Sequence, residues 1–190
     1  MWKIDTKIGT NIRWFFMKIL KDNINDFFKW VKGTELIELD NIDTSEDPVR
    51  PELTLGFRIS HGRKIFGLKY DNEIEAIICV AFCPEVPYTV REMDYMSRVK
   101  DGNVAVAYTV WSRKRGAGKE IVKKLGEWSK KHHCSRLVTL SPLTPMATHF
   151  HIRNGAKQIH INEETQNFEY EVSIWRLKLD NTVGIGHTKV

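Results

Sequence analysis

Two stretches of the chain are apolar at nearly every position instead of at every second one. They are Val104–Trp111 and Glu75–Phe82, and such runs fit strands covered on both faces. Lys64–Tyr70 and the turn Asp71-Asn72-Glu73 precede the second run, which predicts a hairpin. Leu53–Ile59 alternates well enough to predict a further strand. In Lys119 to about His132, Ile121, Val122, Leu125 and Trp128 recur on one helical face, with lysines on the other. Arg136–Leu140 then makes the parallel partner of Val104–Trp111, and the helix is the crossover of a right-handed βαβ unit. Asn11–Lys32 carries a helical apolar stripe ended by Gly33, and Leu36–Arg50 is acidic and reads as loop or partial helix. Val90–Val99 reads as a short helix or a loop. Thr144-Pro145 and Asn154-Gly155 bracket a short helix with His151 near its end. Gln158–Ile161 and Phe168–Leu177 form a closing hairpin, the second arm alternating as a half-exposed strand does. These elements predict a mixed, twisted α/β sheet with helices on both faces. One domain spans residues 1–180, with residues 1–50 its variable part and 181–190 a loose tail.

Composition narrows this little. The chain has 190 residues, 42% hydrophobic and 28% charged, enough for one full core. A net charge of +5 suits a phosphorylated cofactor as well as a nucleic acid. Basic residues without interleaved aromatics disfavour the nucleic acid. Three cysteines in apolar surroundings point to a reducing compartment, and the expectation is a cytoplasmic protein. No run approaches the roughly eighteen apolar residues of a membrane span. His132-His133-Cys134 lacks a second ligand pair at zinc spacing, so no metal is expected.

The turn Ser112–Gly118 lies between an apolar strand and a helix. Glycine lets amides converge, and a helix start favours phosphate. The spacing Arg113-x-x-Gly116-x-Gly118 is neither a P-loop nor a dinucleotide fingerprint. It resembles the pyrophosphate loop of the GCN5-related N-acetyltransferase (GNAT) superfamily. That resemblance implies a sheet whose central parallel strands splay apart, with acetyl-CoA or another acyl-CoA as co-substrate. Arg113, Lys114, Arg115, Gly116, Ala117, Gly118 and Lys119 would hold the pyrophosphate. Thr109, Val110 and Trp111 would offer their open backbone edge to the pantetheine arm.

Downstream, Ala147-Thr148-His149-Phe150-His151-Ile152-Arg153-Asn154-Gly155-Ala156 resembles the GNAT helix that carries a tyrosine acid, with His151 in the tyrosine's place. Leu140-Ser141-Pro142 and Phe150–Ala156 are more similar to the GNAT-fold domain of malonyl-CoA decarboxylases, which use a serine and a histidine catalytically. The leading expectation is acyl transfer from acyl-CoA to an amine, with His151 the candidate acid. The alternative is decarboxylation of malonyl-CoA through Ser141 and His151. A third reading is a non-catalytic binding protein on the same fold. Glu85, Glu92 and Asp94 are candidates for the base an amine acceptor needs. Expected partners are acyl-CoA and an amine, and the fold is compatible with a homodimer.

Overall fold

A computed structural model describes residues 33–171. The helix expected over Asn11–Lys32, the tail at 181–190 and the end of the closing strand lie outside them. The described chain runs β1 (Glu35–Leu39), a 3-10 turn (Thr44–Glu46), α1 (Leu55–Ile59), β2 (Arg63–Tyr70), β3 (Glu73–Cys83), α2 (Val90–Met96) and β4 (Val104–Ser112). It continues through α3 (Ala117–Lys131), β5 (Arg136–Thr139), β6 (Ser141–Pro142), α4 (Pro145–Arg153), β7 (Lys157–Ile161) and β8 (Thr165–Tyr170). The strands form one sheet in the order β1-β2-β3-β4-β5-β8-β6, with β7 on the other edge of β8. The β4–β5 pair is parallel, as a crossover through α3 requires, and the other pairs are antiparallel.

Both faces of the sheet are covered, so the all-apolar runs are explained. On the first face Phe66, Ile78, Val80 and Phe168 pack with Ile121 and Leu125 of α3. On the second, Ile65, Ile77, Val106, Tyr108 and Leu140 pack with Met93 of α2 and with Leu55 and Phe57 of α1.

Three expectations are corrected. Leu53–Ile59 is helical from Leu55, not a strand. Thr54 Oγ1 caps it by accepting from Phe57 N at 3.2 Å, and Arg58 is fully buried. Leu36–Arg50 contains the edge strand β1, whose exposed Glu35 and Glu38 mark a charged sheet edge. The closing strand alternates as expected over its described part, with Phe168 and Tyr170 buried, Glu169 partly buried and Glu171 exposed, but it starts earlier, at Thr165, between neighbours on both sides. Gln166 and Asn167 stay buried by hydrogen bonding. The Asn167 amide donates to the carbonyls of Pro87 and Thr139, and the Gln166 amide to that of Pro142.

The βαβ unit sets up the site. Parallel pairing runs from Val104↔Arg136 to Ala107↔Thr139, and Leu140 N to Ala107 O (2.9 Å) is its last bond. Beyond it β4 continues to Ser112 paired with β3 only, while β5 and β6 follow β8. Tyr108 is an extra residue in β4, since Cys79 faces Thr109 and Val80 faces Ala107. A bulge of this kind kinks the strand and turns its next backbone groups outward.

Candidate active site in the gap between β4 and β5

The diverging strands leave a cavity of about 320 Å³. Tyr108 to Ser112 form one wall, and Thr139, Ser141 and Pro142 the other. Gly118, Val122 and Leu125 of α3, with Met146, Phe150 and His151 of α4, cover it, and Pro48 and Val49 complete the lining. Tyr108 O faces the gap, because it accepts from Arg50 Nε there at 3.0 Å. Strand alternation then turns the Val110 amide and carbonyl the same way. Thr109 and Trp111 line the cavity too, but Thr109 Oγ1 is held by Asp47, at 2.9 Å from each carboxylate oxygen.

Helix α4 brings His151 to the wall. Thr144 Oγ1 accepts from Ala147 N at 3.3 Å to start the helix, Pro145 stands in its first turn, and Gly155 at φ 90° lets the chain leave it. His151 is 5% exposed and stacks on Phe168 with ring centres 4.8 Å apart. Its Nε2 lies 2.8 Å from Ser141 Oγ, and its Nδ1 lies 2.8 Å from the Tyr170 hydroxyl. Ser141 Oγ is also 3.1 Å from Thr139 Oγ1.

The direction of these bonds follows from satisfying buried donors. Tyr170 is 2% exposed, and among the described residues its hydroxyl has His151 as its one partner. A buried hydroxyl must place its proton on an acceptor. Tyr170 therefore donates to Nδ1, and Nε2–H donates to Ser141 Oγ. The Ser141 hydroxyl donates in turn to Thr139 Oγ1. Burial lowers the His151 pKa to about 4, so the imidazole is neutral at pH 7. The same burial pushes the Tyr170 phenol upward. This is a string of aligned donors and not a nucleophilic serine, because the serine's neighbour offers it a proton instead of removing one.

The glycine turn lies mostly outside this cavity. Gly116 sits at φ 84°, where a side chain would be strained, and it accepts from Lys119 N and Glu120 N to start α3. Gly118 lies under the Phe150 ring, with 3.6 Å from a built Cβ to the nearest ring atom, and it lines the cavity. Arg113 pairs with Glu46 Oε2 at 2.6 Å, and Lys114 Nζ stands 3.6 Å from Glu73. Arg115, Gly116 and Ala117 border a second, more open hollow at the start of α3 with Lys123 and Lys124, and Lys119 is exposed beside them. So Ser141, His151, Thr109, Val110, Trp111 and Gly118 line the cavity, while Arg113, Lys114, Arg115, Gly116, Ala117 and Lys119 lie outside it.

Two candidates for a base have structural partners. Glu92 accepts from Tyr88 N at 2.7 Å across the start of α2. Asp94 is paired with Arg63 and Arg98, each at 2.7 Å, and their hydrogen bonds and charge outweigh its desolvation and hold its carboxyl below the usual range. Glu85 is exposed outside the cavity. Sequence reading missed Tyr170, seen only as a strand residue, and Thr139. It also missed Asp47 and Arg50, which lie in a stretch with no periodicity to place them, and Arg58, which lies in the run misread as a strand. The pairing of Arg58 with Asp47 leaves no local signal.

No family model matches the chain, and no curated protein matches it. Solved structures do. A protein of the GNAT acetyltransferase family from Desulfovibrio desulfuricans is 10% identical over 74% of this chain and 100% of its own, with a TM-score of 0.52. A Bacillus subtilis acetyltransferase in complex with CoA is 9% identical over 72% and 93%, with a TM-score of 0.47. A malonyl-CoA decarboxylase from Cupriavidus metallidurans is 20% identical over 63% of this chain, with a TM-score of 0.45. This chain spans 33% of that protein's length. The first of these likenesses establishes the fold: the chain has the GNAT acyltransferase fold.

Proposed function

We propose that the protein binds an acyl-CoA with its pantetheine arm in the gap, and that it decarboxylates a malonyl-type thioester at Ser141 and His151. The observation that carries this reading is the 2.8 Å bond between Ser141 Oγ and His151 Nε2 inside a largely apolar cavity. Decarboxylation breaks the bond between the carboxylate carbon and Cα. The electron pair moves onto the thioester as an enolate, CO2 leaves, and one proton from solvent completes the acetyl methyl group. An apolar cavity favours that step, because a localised carboxylate charge becomes a dispersed one. The Ser141 hydroxyl can donate to the enolate oxygen. A substrate carboxylate beside His151 opposes the effect of burial and raises its pKa. The imidazole then takes up the proton that it later gives to Cα. The likeness of Leu140-Ser141-Pro142 and Phe150–Ala156 to the malonyl-CoA decarboxylases supports the same assignment.

Acyl transfer to an amine is the second reading of the site, and the GNAT fold favours it. It needs a base for the ammonium. His151, with its pKa lowered to about 4, is a weak one. Glu92 and Asp94 already have partners. Decarboxylation requires no acceptor to be deprotonated.

The test is release of CO2 from malonyl-CoA with no acceptor present. Ser141→Ala and His151→Asn should each lower kcat by about a hundredfold or more, the usual size of a proton-transfer contribution. Unchanged turnover in both variants would remove the assignment.

A further inference from the structure

Two buried arginines and one buried carboxylate lie on the second face of the sheet. Arg58 is fully buried and pairs with Asp47 at 2.8 Å. It also donates to the carbonyls of Leu53 at 2.9 Å and Arg50 at 2.7 Å. Asp47 has no capacity left: Thr109 Oγ1 and the backbone amides of Val49 and Arg50 donate to it as well. Arg50 is 9% exposed and forms no ion pair among the described residues. Asp47 and the exposed Glu52 bear on its guanidinium only through their fields.

Arg50 stands where β4 and β5 part. Its Nε donates to Tyr108 O at 3.0 Å and its Nη2 to Leu140 O at 3.1 Å. Those carbonyls belong to the two strands on either side of the gap, just past their last shared bond. The preceding residues, Pro48 and Val49, line the cavity. A neutral amide side chain could bond the same two carbonyls. A buried cation with no carboxylate in contact is expensive, and such a group is stabilised where an anion arrives. On the same face of the sheet, the Tyr108 hydroxyl, beside the Cys79 thiol, and Trp111 Nε1 are buried with no oxygen or nitrogen acceptor among the described residues.

We infer that Arg50 is the counter-charge for a carboxylate on the acyl group, and that it selects acidic acyl thioesters of the malonyl class over neutral ones such as acetyl-CoA. This rests on the reading of the cavity as an acyl-CoA site. Nε and Nη2 are already engaged, so Arg50 attracts the carboxylate without gripping it through a two-pronged bond. That suits a group that must leave as CO2. Arg50 is a specificity residue: it governs affinity for the charged acyl group and does not take part in proton transfer.

The test uses two unreactive thioethers of CoA that differ in charge and little in shape, 2-carboxyethyl-CoA and propyl-CoA, titrated by calorimetry. The wild-type protein should bind the carboxylate at least about tenfold more tightly than the propyl compound. Arg50→Gln should erase that preference and leave propyl-CoA affinity within about twofold, and Arg50→Lys should restore part of it. A structural role alone would weaken both ligands together. Equal binding of the two thioethers by the wild-type protein overturns the inference without any variant, and leaves the acyl-CoA reading standing. A preference that survives in Arg50→Gln overturns it as well. Failure of both thioethers and of CoA itself to bind overturns the coenzyme reading and the inference with it.

Discussion

His151 is the residue on which burial acts most visibly. Its folded pKa of about 4 lies below the value near 6.5 of an unfolded chain. Between those values the unfolded chain binds the extra proton. The contribution of this site to stability is therefore complete above about pH 6.5 and is lost as pH falls towards 4, by up to about 3 kcal/mol. Urea midpoints measured across that range should slope downward for the wild-type protein and flatten for His151→Asn. Asp47 makes a second residue-scale test. Removing its charge leaves Arg58 fully buried with no partner carboxylate, and Asp47→Asn should cost about 3–5 kcal/mol in equilibrium unfolding. A loss below 1 kcal/mol would mean that the ion pair is not what holds this segment. In the sequence, His151 and Ser141 were legible because their neighbours resemble a known motif. Asp47, Arg50 and Arg58 were not, since their partners lie on residues as distant as Tyr108 and Leu140 and no periodic pattern joins them.

Among the elements, α3 and α4 were the easiest to read, and each has a start that can be tested. Thr144 caps α4 and Pro145 follows it, as expected from the sequence, and this fixes where His151 falls. Thr144→Ala should destabilise the protein by about 1 kcal/mol and lower turnover further than that loss alone implies, because it loosens the helix that positions the imidazole. Gly116→Ala places a side chain at φ 84°, where there is space but the backbone is strained, and should cost about 1–2 kcal/mol. The elements misread were those decided by distant partners. α1 looked like a strand because Leu53, Leu55 and Phe57 alternate, yet Thr54 caps a helix there and Arg58 turns inward to Asp47. β1 was hidden in an acidic stretch, since an edge strand needs little apolar sequence once β2 offers it a register. The alternation of the last strand was read correctly, but its buried start from Thr165 to Asn167 was missed. The neighbours that bury it come from 24 and 28 residues upstream, through the Gln166 bond to Pro142 and the Asn167 bond to Thr139.

At the largest scale, one parallel pair in a sheet that is otherwise antiparallel among the described residues opens a cavity at the point where the pair ends, beside the bulge at Tyr108. A ligand that fills this gap binds the folded state alone, so a CoA thioether at a hundred times its Kd should add about 2.7 kcal/mol and raise Tm by about 5–10 °C. The central claim, that a malonyl thioester loses its carboxylate at Ser141 and His151, is tested most directly by following malonyl-CoA labelled with carbon-13 at C2 by NMR in heavy water, with no amine present. The account predicts conversion to acetyl-CoA carrying one deuteron in its methyl group, lost in Ser141→Ala. A label that stays in malonyl-CoA, or that moves only when an amine is added and then appears on that amine, would contradict it.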